Sequence, residues 1–384
     1  MKTRAVVLER TDRIRIPGRS TVRHSAVATW LMFIACNPVN HDSETSSAPA
    51  AALTANPLVG WDPRQPGPNE LFPATDGSPN YLRSVIPPNP KLDPNSDAII
   101  ASMGCTRPRL NGPEWQMPFY MTKNSDPLYH PVLEHAPDWG CSVGDEGIHI
   151  PDYATREVPG DGDAWVIVAN KDDDTVKGIW VAKKDPTGWN GSCGGSFKLS
   201  GNGAAESKLA GLGTGSDVQA GFGFIQYSEL QAGSIDHALY FTATRSCRTF
   251  RKPAGKSDGN GMGRDCMPMG ARLQLDPSVN CRRLRGASKG ERMICLAMQK
   301  YGGYVLDSGG PGPISGIGMA GDDLTDPARA PWQTPGNGMR GPRGCSPVGP
   351  NCGVVSNVGL DGSEDSLAHI PWTKLRVLAS WNGE

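Results

Sequence analysis

Proton-transfer chemistry needs a titratable group in a place a ligand can reach, and Asp163, His237 and Asp307 combine the two. Asp163 follows Gly160-Asp161-Gly162 and opens a β-branched apolar run. His237 stands in Ile235-Asp236-His237-Ala238-Leu239-Tyr240-Phe241, whose alternation reads as a strand. Asp307 ends the apolar run Tyr304-Val305-Leu306 and is followed by Ser308-Gly309-Gly310, where side chains shrink and the backbone opens. Histidine titrates near neutrality, which suits a general acid or base. Two carboxyls about 5–9 Å apart serve glycoside hydrolysis: one donates a proton, the other attacks or activates water. Elimination from an acidic sugar would instead need a Tyr or His base and a cation against the sugar carboxylate. His237, Tyr240 and Arg272 or Arg245 supply those types. We therefore expect Asp163, His237 and Asp307 in catalytic roles and Trp165, Tyr240 and Arg272 in substrate binding. Aromatic faces also stack on the apolar faces of sugars, and Trp165, Trp180 and Trp189 fall close together in the chain. Each assignment has a plainer competitor. His237 shares a strand face with Leu239 and Phe241 and fits a hydrogen-bonded core histidine. Asp307 fits a turn organiser that accepts from nearby N–H groups. Most tryptophans are core.

The elements that must position these residues are mostly strands. The clearest hairpin runs from 163–170 through the polar turn Lys171-Asp172-Asp173-Asp174 into 175–182, and 189–199 reads as a third, glycine-broken strand of an antiparallel meander. Further strands are expected over 117–121, 147–151, 235–244, 269–276, 304–307 and 370–378. A short helix is expected over 93–104, with Asp93 as cap, Pro94 in the first turn and Gly104 as stop. The one longer helix spans 289–301, where Met293, Ile294, Ala297, Met298 and Tyr301 form a stripe. The expected fold is mainly β: an antiparallel sandwich, jelly roll or distorted barrel with a few short helices.

Composition agrees with that choice. The chain has 384 residues, and Gly (48) and Pro (34) make up about a fifth of it, against a usual ~12%. Turns this frequent exclude a helix bundle. The 38 basic and 39 acidic residues nearly cancel, which argues against nucleic acid as a partner. No CxxC pair and no His pair at helical metal spacing occurs, so no metal is expected. Gly211, Gly213 and Gly215 do not form a dinucleotide fingerprint, and no cofactor is expected. The acidic turn at 171–174 lacks the glycine and terminal glutamate of a calcium loop. No GxSxG elbow is present.

At the amino end, basic residues precede the apolar run 26–36. That run is too short for a bilayer, which needs about 20 residues, and fits the apolar region of a secretion signal. Phe33-Ile34-Ala35-Cys36 resembles a bacterial lipobox, with Phe where Leu is usual. Two readings stay open, lipid attachment at Cys36 and plain cleavage near Ala35. Residues 37–56 are small and polar and read as a tether, and 57–384 read as one β-rich domain. Membrane association is expected only through a lipid on Cys36. Nine further cysteines suggest disulfides in an exported chain. Cys345–Cys352, Cys247–Cys266, Cys281–Cys295 and Cys141–Cys193 are the expected pairs; spacing alone does not fix connectivity.

Pro90-Lys91-Leu92-Asp93-Pro94-Asn95-Ser96, Ile235-Asp236-His237-Ala238-Leu239, the stretch 269–278, Tyr301-Gly302-Gly303-Tyr304-Val305-Leu306-Asp307-Ser308-Gly309-Gly310 and the stretch 370–378 occur in this order. Together they resemble a family of exported, largely uncharacterised bacterial proteins, over roughly 60–380. The resemblance implies export and one domain of fixed element order, and it implies no mechanism. Members of that family often carry a His where Trp165 stands. The expected function is that of an exported carbohydrate-active protein, a polysaccharide hydrolase or lyase. The alternative is a non-catalytic surface protein that binds glycan or another cell-envelope component.

Overall fold

A computed structural model describes residues 80–103, 108–110, 117–154, 163–205, 214–219, 221–226, 229, 232–309, 316–318, 320–321 and 367–380. The expected export signal and tether, and Cys36, Cys105, Cys345 and Cys352, lie outside these residues. Among these described residues strands make up 32% and helices 14%, so the fold is mainly β with a few short helices.

Strands are numbered along the chain. A six-stranded sheet places side by side Arg109–Leu110 (β1), Gly316–Ile317 (β15), Leu239–Ala243 (β10), Gly303–Ser308 (β14), Arg272–Leu275 (β13) and Leu375–Val377 (β17). A five-stranded sheet consists of Ala320–Gly321 (β16), Met117–Thr122 (β2), Val166–Asn170 (β5), Thr175–Trp180 (β6) and Cys193–Lys198 (β9). Three two-stranded ribbons join Leu128–Tyr129 (β3) to Ile148–His149 (β4), Lys183–Asp185 (β7) to Gly188–Asn190 (β8), and Ser246–Phe250 (β11) to Met267–Met269 (β12).

The meander β5–β6–β9 is antiparallel, as its hairpin spacing predicts. The pairs β2–β5 and β10–β14 are parallel, so both large sheets are mixed. Parallel neighbours need a long crossover. The 244–302 segment provides one and carries the longest helix, Lys289–Lys300.

Period-two alternation sends β10 into two cores. Leu239, Phe241 and Ala243 face a cluster with Met293, Ile294 and Met298 of that helix. Ala238 and Tyr240 face a second cluster, shared with Phe119, Trp165 and Ile167 of the five-stranded sheet and its entry. The two sheets therefore enclose a common core, a sandwich arrangement, and among the described residues no barrel closes. The outer face of the five-stranded sheet buries Tyr120, Val166, Val168 and Ile179 against Ile148 and Ile150. A sheet apolar on both faces leaves polar chemistry to the strand ends.

The helices are Ser96–Ser102 (α1), Ala136–Trp139 (α2) and Lys289–Lys300 (α3). Asn95, not Asp93, is the N-cap residue of α1; Asp93 accepts from the Asn95 N–H and pairs with Arg251. α3 starts in a capping box of Ser288 and Glu291. It stops at Gly302, whose φ of 73° is left-handed and whose Cα faces the Leu273 carbonyl, so a side chain there has no room. Cys141–Cys193, Cys247–Cys266 and Cys281–Cys295 are disulfide-bonded, and no cysteine among the described residues is free.

Candidate functional site

The carboxyl end of the β10–β14 pair carries a local irregularity that decides where Asp307 points. Phe241 pairs with Val305, but Thr242 pairs with Asp307, so Leu306 is an extra residue. Such a β-bulge re-aims the side chain that follows it. Without it, strict alternation would put Asp307 on the Val305 face, toward α3. With it, Asp307 joins Tyr304, Leu306 and Tyr240 on the other face.

There the Tyr240 hydroxyl donates to Asp307 Oδ2 at 3.0 Å. The N–H groups of Gly215 and Ser308 donate to Oδ1 at 3.1 and 2.9 Å. Tyr240 is 2% exposed and is held edge-on by Phe224, with ring centroids 4.8 Å apart. Asp307 is half-buried as a residue. A Cβ on the next residue but one, Gly309, would meet no described atom within 4 Å.

Two more carboxyls adjoin it. Asp258, exposed on the disulfide-closed segment between β11 and β12, accepts the Ser308 hydroxyl at 2.6 Å. Gly215 wedges between the two acids: its N–H serves Asp307, and a side chain on it would strike the Asp258 carboxyl. Asp163 is the third. Burial, then the charge of Asp258, then that of Asp163 push the Asp307 carboxyl up to about 7, against the opposing hydrogen bonds from Tyr240 and Ser308. Burial also raises Asp163, opposed by the side chains of Trp180 and Trp165. Desolvation and the nearby Asp307 carry the Tyr240 phenol well above its usual value, so it stays a donor.

Backbone strain collects at the same place. Among the described residues, Ala164, Asp174, Val181 and Asp217 are the non-glycines with positive φ. Ala164 and Val181 flank Asp163 and Trp180, joined by the Val181 N–H to the Asp163 carbonyl at 2.9 Å. A β-branched residue at φ 50° is a true outlier. Such strain persists where the surroundings impose it.

Of the six residues expected to form a site, Tyr240 and Asp307 are hydrogen-bonded, and Asp163 acts on both through its charge. His237 does not join them. It is 2% exposed, and its Nε2 lies 3.0 Å from Glu229 Oε2 while Nδ1 meets the Ala238 carbonyl at 2.8 Å. Both ring nitrogens are spent in the core, beside the buried guanidinium of Arg83. Arg272 is likewise corrected to a structural role. It is 5% exposed, its guanidinium donates to the Tyr301 and Ser84 carbonyls, and it lies over the Tyr304 ring. Trp165 is 1% exposed with its ring against the face of Gly178, so it has no surface to offer a substrate. It contributes instead by lining Asp163.

Asp258 and Gly215 escaped the sequence reading. One sits in a polar glycine-rich stretch and the other in a glycine-rich loop, and neither shows a pattern of its own. The acidic turn at 171–174 is architecture: Asp172, Asp173 and Asp174 accept from Asn124, Thr175 and Ser200. Among the described residues, no group of three His, Cys, Asp or Glu is placed to hold a metal. No helix of these residues is long and apolar enough to cross a membrane.

Fold and site together define a mixed-sheet sandwich with a carboxyl–tyrosine group at one strand end. No family model, curated protein or solved structure matches the chain.

Proposed function

We propose that this protein is an exported carbohydrate-active enzyme that hydrolyses a polysaccharide, with Asp307 as general acid. One observation carries the reading: the carboxyl end of β14 holds a carboxyl raised to about 7 beside a second, exposed carboxyl. An acid that keeps its proton near neutral pH, with a second carboxyl beside it, is an arrangement glycoside hydrolysis uses. Oδ1 of Asp307 is occupied by two N–H donors. The labile proton therefore sits on Oδ2, the oxygen that faces the Tyr240 hydroxyl. In the reaction this proton passes to the glycosidic oxygen as the bond from the anomeric carbon to that oxygen breaks. Asp258 takes a proton from water, whose oxygen joins the anomeric carbon.

Elimination from an acidic sugar fits less well. It needs a cation at the substrate carboxylate, and Arg272 is committed to the Tyr301 and Ser84 carbonyls and Arg245 to Asp265, while the candidate base His237 is bonded to Glu229. A uronate would also meet three carboxyls. Export is supported by the three disulfides, which persist in oxidising compartments. The substrate would then be an extracellular polysaccharide or a cell-envelope glycan, and any membrane association would run through a lipid on Cys36.

The test is a polysaccharide panel read in two ways, by reducing ends and by ultraviolet absorbance of unsaturated products. Hydrolysis predicts new reducing ends without absorbance, lost at least 100-fold in Asp307→Asn. Unsaturated products, or equal activity in the variant, would sink the reading. Binding without any turnover would leave the non-catalytic glycan-binding role.

A further inference from the structure

We propose that Trp139 and Trp180 form a sugar-stacking ledge that leads an uncharged pyranose chain to the carboxyl site. The ligand class deepens the hydrolase reading and rests on it. The ledge itself is a binding claim and is tested as one.

Trp139 ends α2 and is 44% exposed. A tryptophan that belongs to no core and still has a fixed orientation calls for an explanation. Its orientation comes from His135, which stacks on it with centroids 3.9 Å apart and planes at 20°. The segment is fastened on both sides. Before the helix, the N–H groups of Glu134 and His135 bond the Gly191 and Ser192 carbonyls. After it, Cys141 is joined to Cys193 of β9. So the ring is held in place before any ligand arrives, and the entropy of fixing it is already spent.

Trp180, the last residue of β6, lies beside it. The two indoles have centroids 6.3 Å apart and planes at 30°, forming a shallow continuous aromatic surface. Trp180 is half-buried, and its other neighbour is the Asp163 carboxyl, whose ionised form its side chain favours. The ledge thus runs from exposed Trp139 through half-buried Trp180 to the Asp163 carboxyl. Indole faces carry negative charge density and take up C–H groups of sugar rings. Carboxylates at the inner end repel an anionic sugar. The chemistry selected is a neutral or N-acetylated pyranose, not a uronate.

The experiment measures binding of three soluble hexasaccharides: β-linked glucose, β-linked N-acetylglucosamine and α-linked galacturonic acid. Calorimetry compares the full chain, Asp307→Asn and Trp139→Ala. The ledge predicts that a neutral or N-acetylated hexasaccharide binds, that Asp307→Asn binds equally, and that Trp139→Ala binds at least tenfold more weakly with an unchanged unfolding midpoint. Trp139→Phe should recover part of the loss. Equal binding by Trp139→Ala, preference for the galacturonate, or no binding of any of the three would overturn it. So would a self-associated form, seen by sedimentation, that Trp139→Ala dissolves, since the rings would then cover another copy. Because Asp307→Asn separates binding from turnover, failure of the hydrolase reading leaves the ledge standing and the reverse.

Discussion

The parallel pair β10–β14 ends in two different ways. At its amino end the buried groups close on one another. His237 gives both nitrogens to fixed partners, Glu229 accepts from the Gln226 N–H as well, and Arg272 donates to the Tyr301 and Ser84 carbonyls. At its carboxyl end the groups are left in tension. Asp307 accepts three hydrogen bonds yet still sits among like charges, and its surroundings favour the protonated form. Residue types alone made the two ends look alike, a histidine here and a carboxylate there. Satisfaction of hydrogen bonds, read against uncompensated charge, separates core architecture from a candidate site.

The sharpest way to break that contrast is His237→Ala. It would leave Glu229, 2% exposed, without its partner. Leaving a buried acceptor short of its donor typically costs about 1–3 kcal/mol, more for a charged group, so urea unfolding should show a loss of at least about 2 kcal/mol. A loss under about 1 kcal/mol would mean the amino end is not the closed one.

The opposite sign is expected at Asp307, and it depends on pH. An unfolded Asp ionises near its ordinary value of 3.8, the folded one near 7. Between those values the folded protein holds a proton that the unfolded chain has released. Raising pH through that window therefore favours unfolding. The cost is fully present above about 7 and absent below about 4, at about 1.4 kcal/mol per unit. Asp307→Asn should thus be more stable than the parent at pH 8, by up to a few kcal/mol, and the advantage should vanish toward pH 4. Chemical unfolding at both pH values checks it, and a destabilised variant at pH 8 would reverse the assignment of tension.

Asp258→Asn sharpens the comparison further. It removes the stronger of the two charges on Asp307, so the Asp307 carboxyl should titrate lower, on the order of one unit. A carbon-13 carboxyl titration would show it, and no shift would place Asp258 outside the site. The smallest effect is expected from Trp139→Ala. An exposed side chain outside the cores should change stability by no more than about half a kcal/mol, measured by the same urea transition.

Much of the scaffold was legible because it depends on local pattern. The β5–β6 hairpin follows from two apolar runs around an acidic turn, and α3 follows from its stripe. Cys247–Cys266 and Cys281–Cys295 follow from short loops in an exported chain, whereas Cys141–Cys193, 52 residues apart, is only what remains once the local pairs are taken. The parallel pairing of β10 with β14 was not legible, because a crossover through α3 leaves no local mark. The extra residue at Leu306 was hidden for the same reason: a bulge is a property of two strands in register, and one strand's sequence does not contain it. His237 was read as a site residue because Glu229, its partner, lies in a different local segment and carries no pattern linking the two. Trp139 was passed over because a four-residue helix shows no periodicity.

The bulge makes the direction of Asp307 a matter of counting. Its side chain faces Tyr240 because β14 spends one residue more than β10 between Val305 and Asp307. Deleting Leu306 would keep every acid in the chain and restore a regular ladder, yet it would turn the carboxyl into the α3 core. Substitutions along β14 can thus be absorbed by packing while a change in chain length there cannot. Among divergent copies of this protein, β14 should therefore drift in composition and resist insertion or deletion.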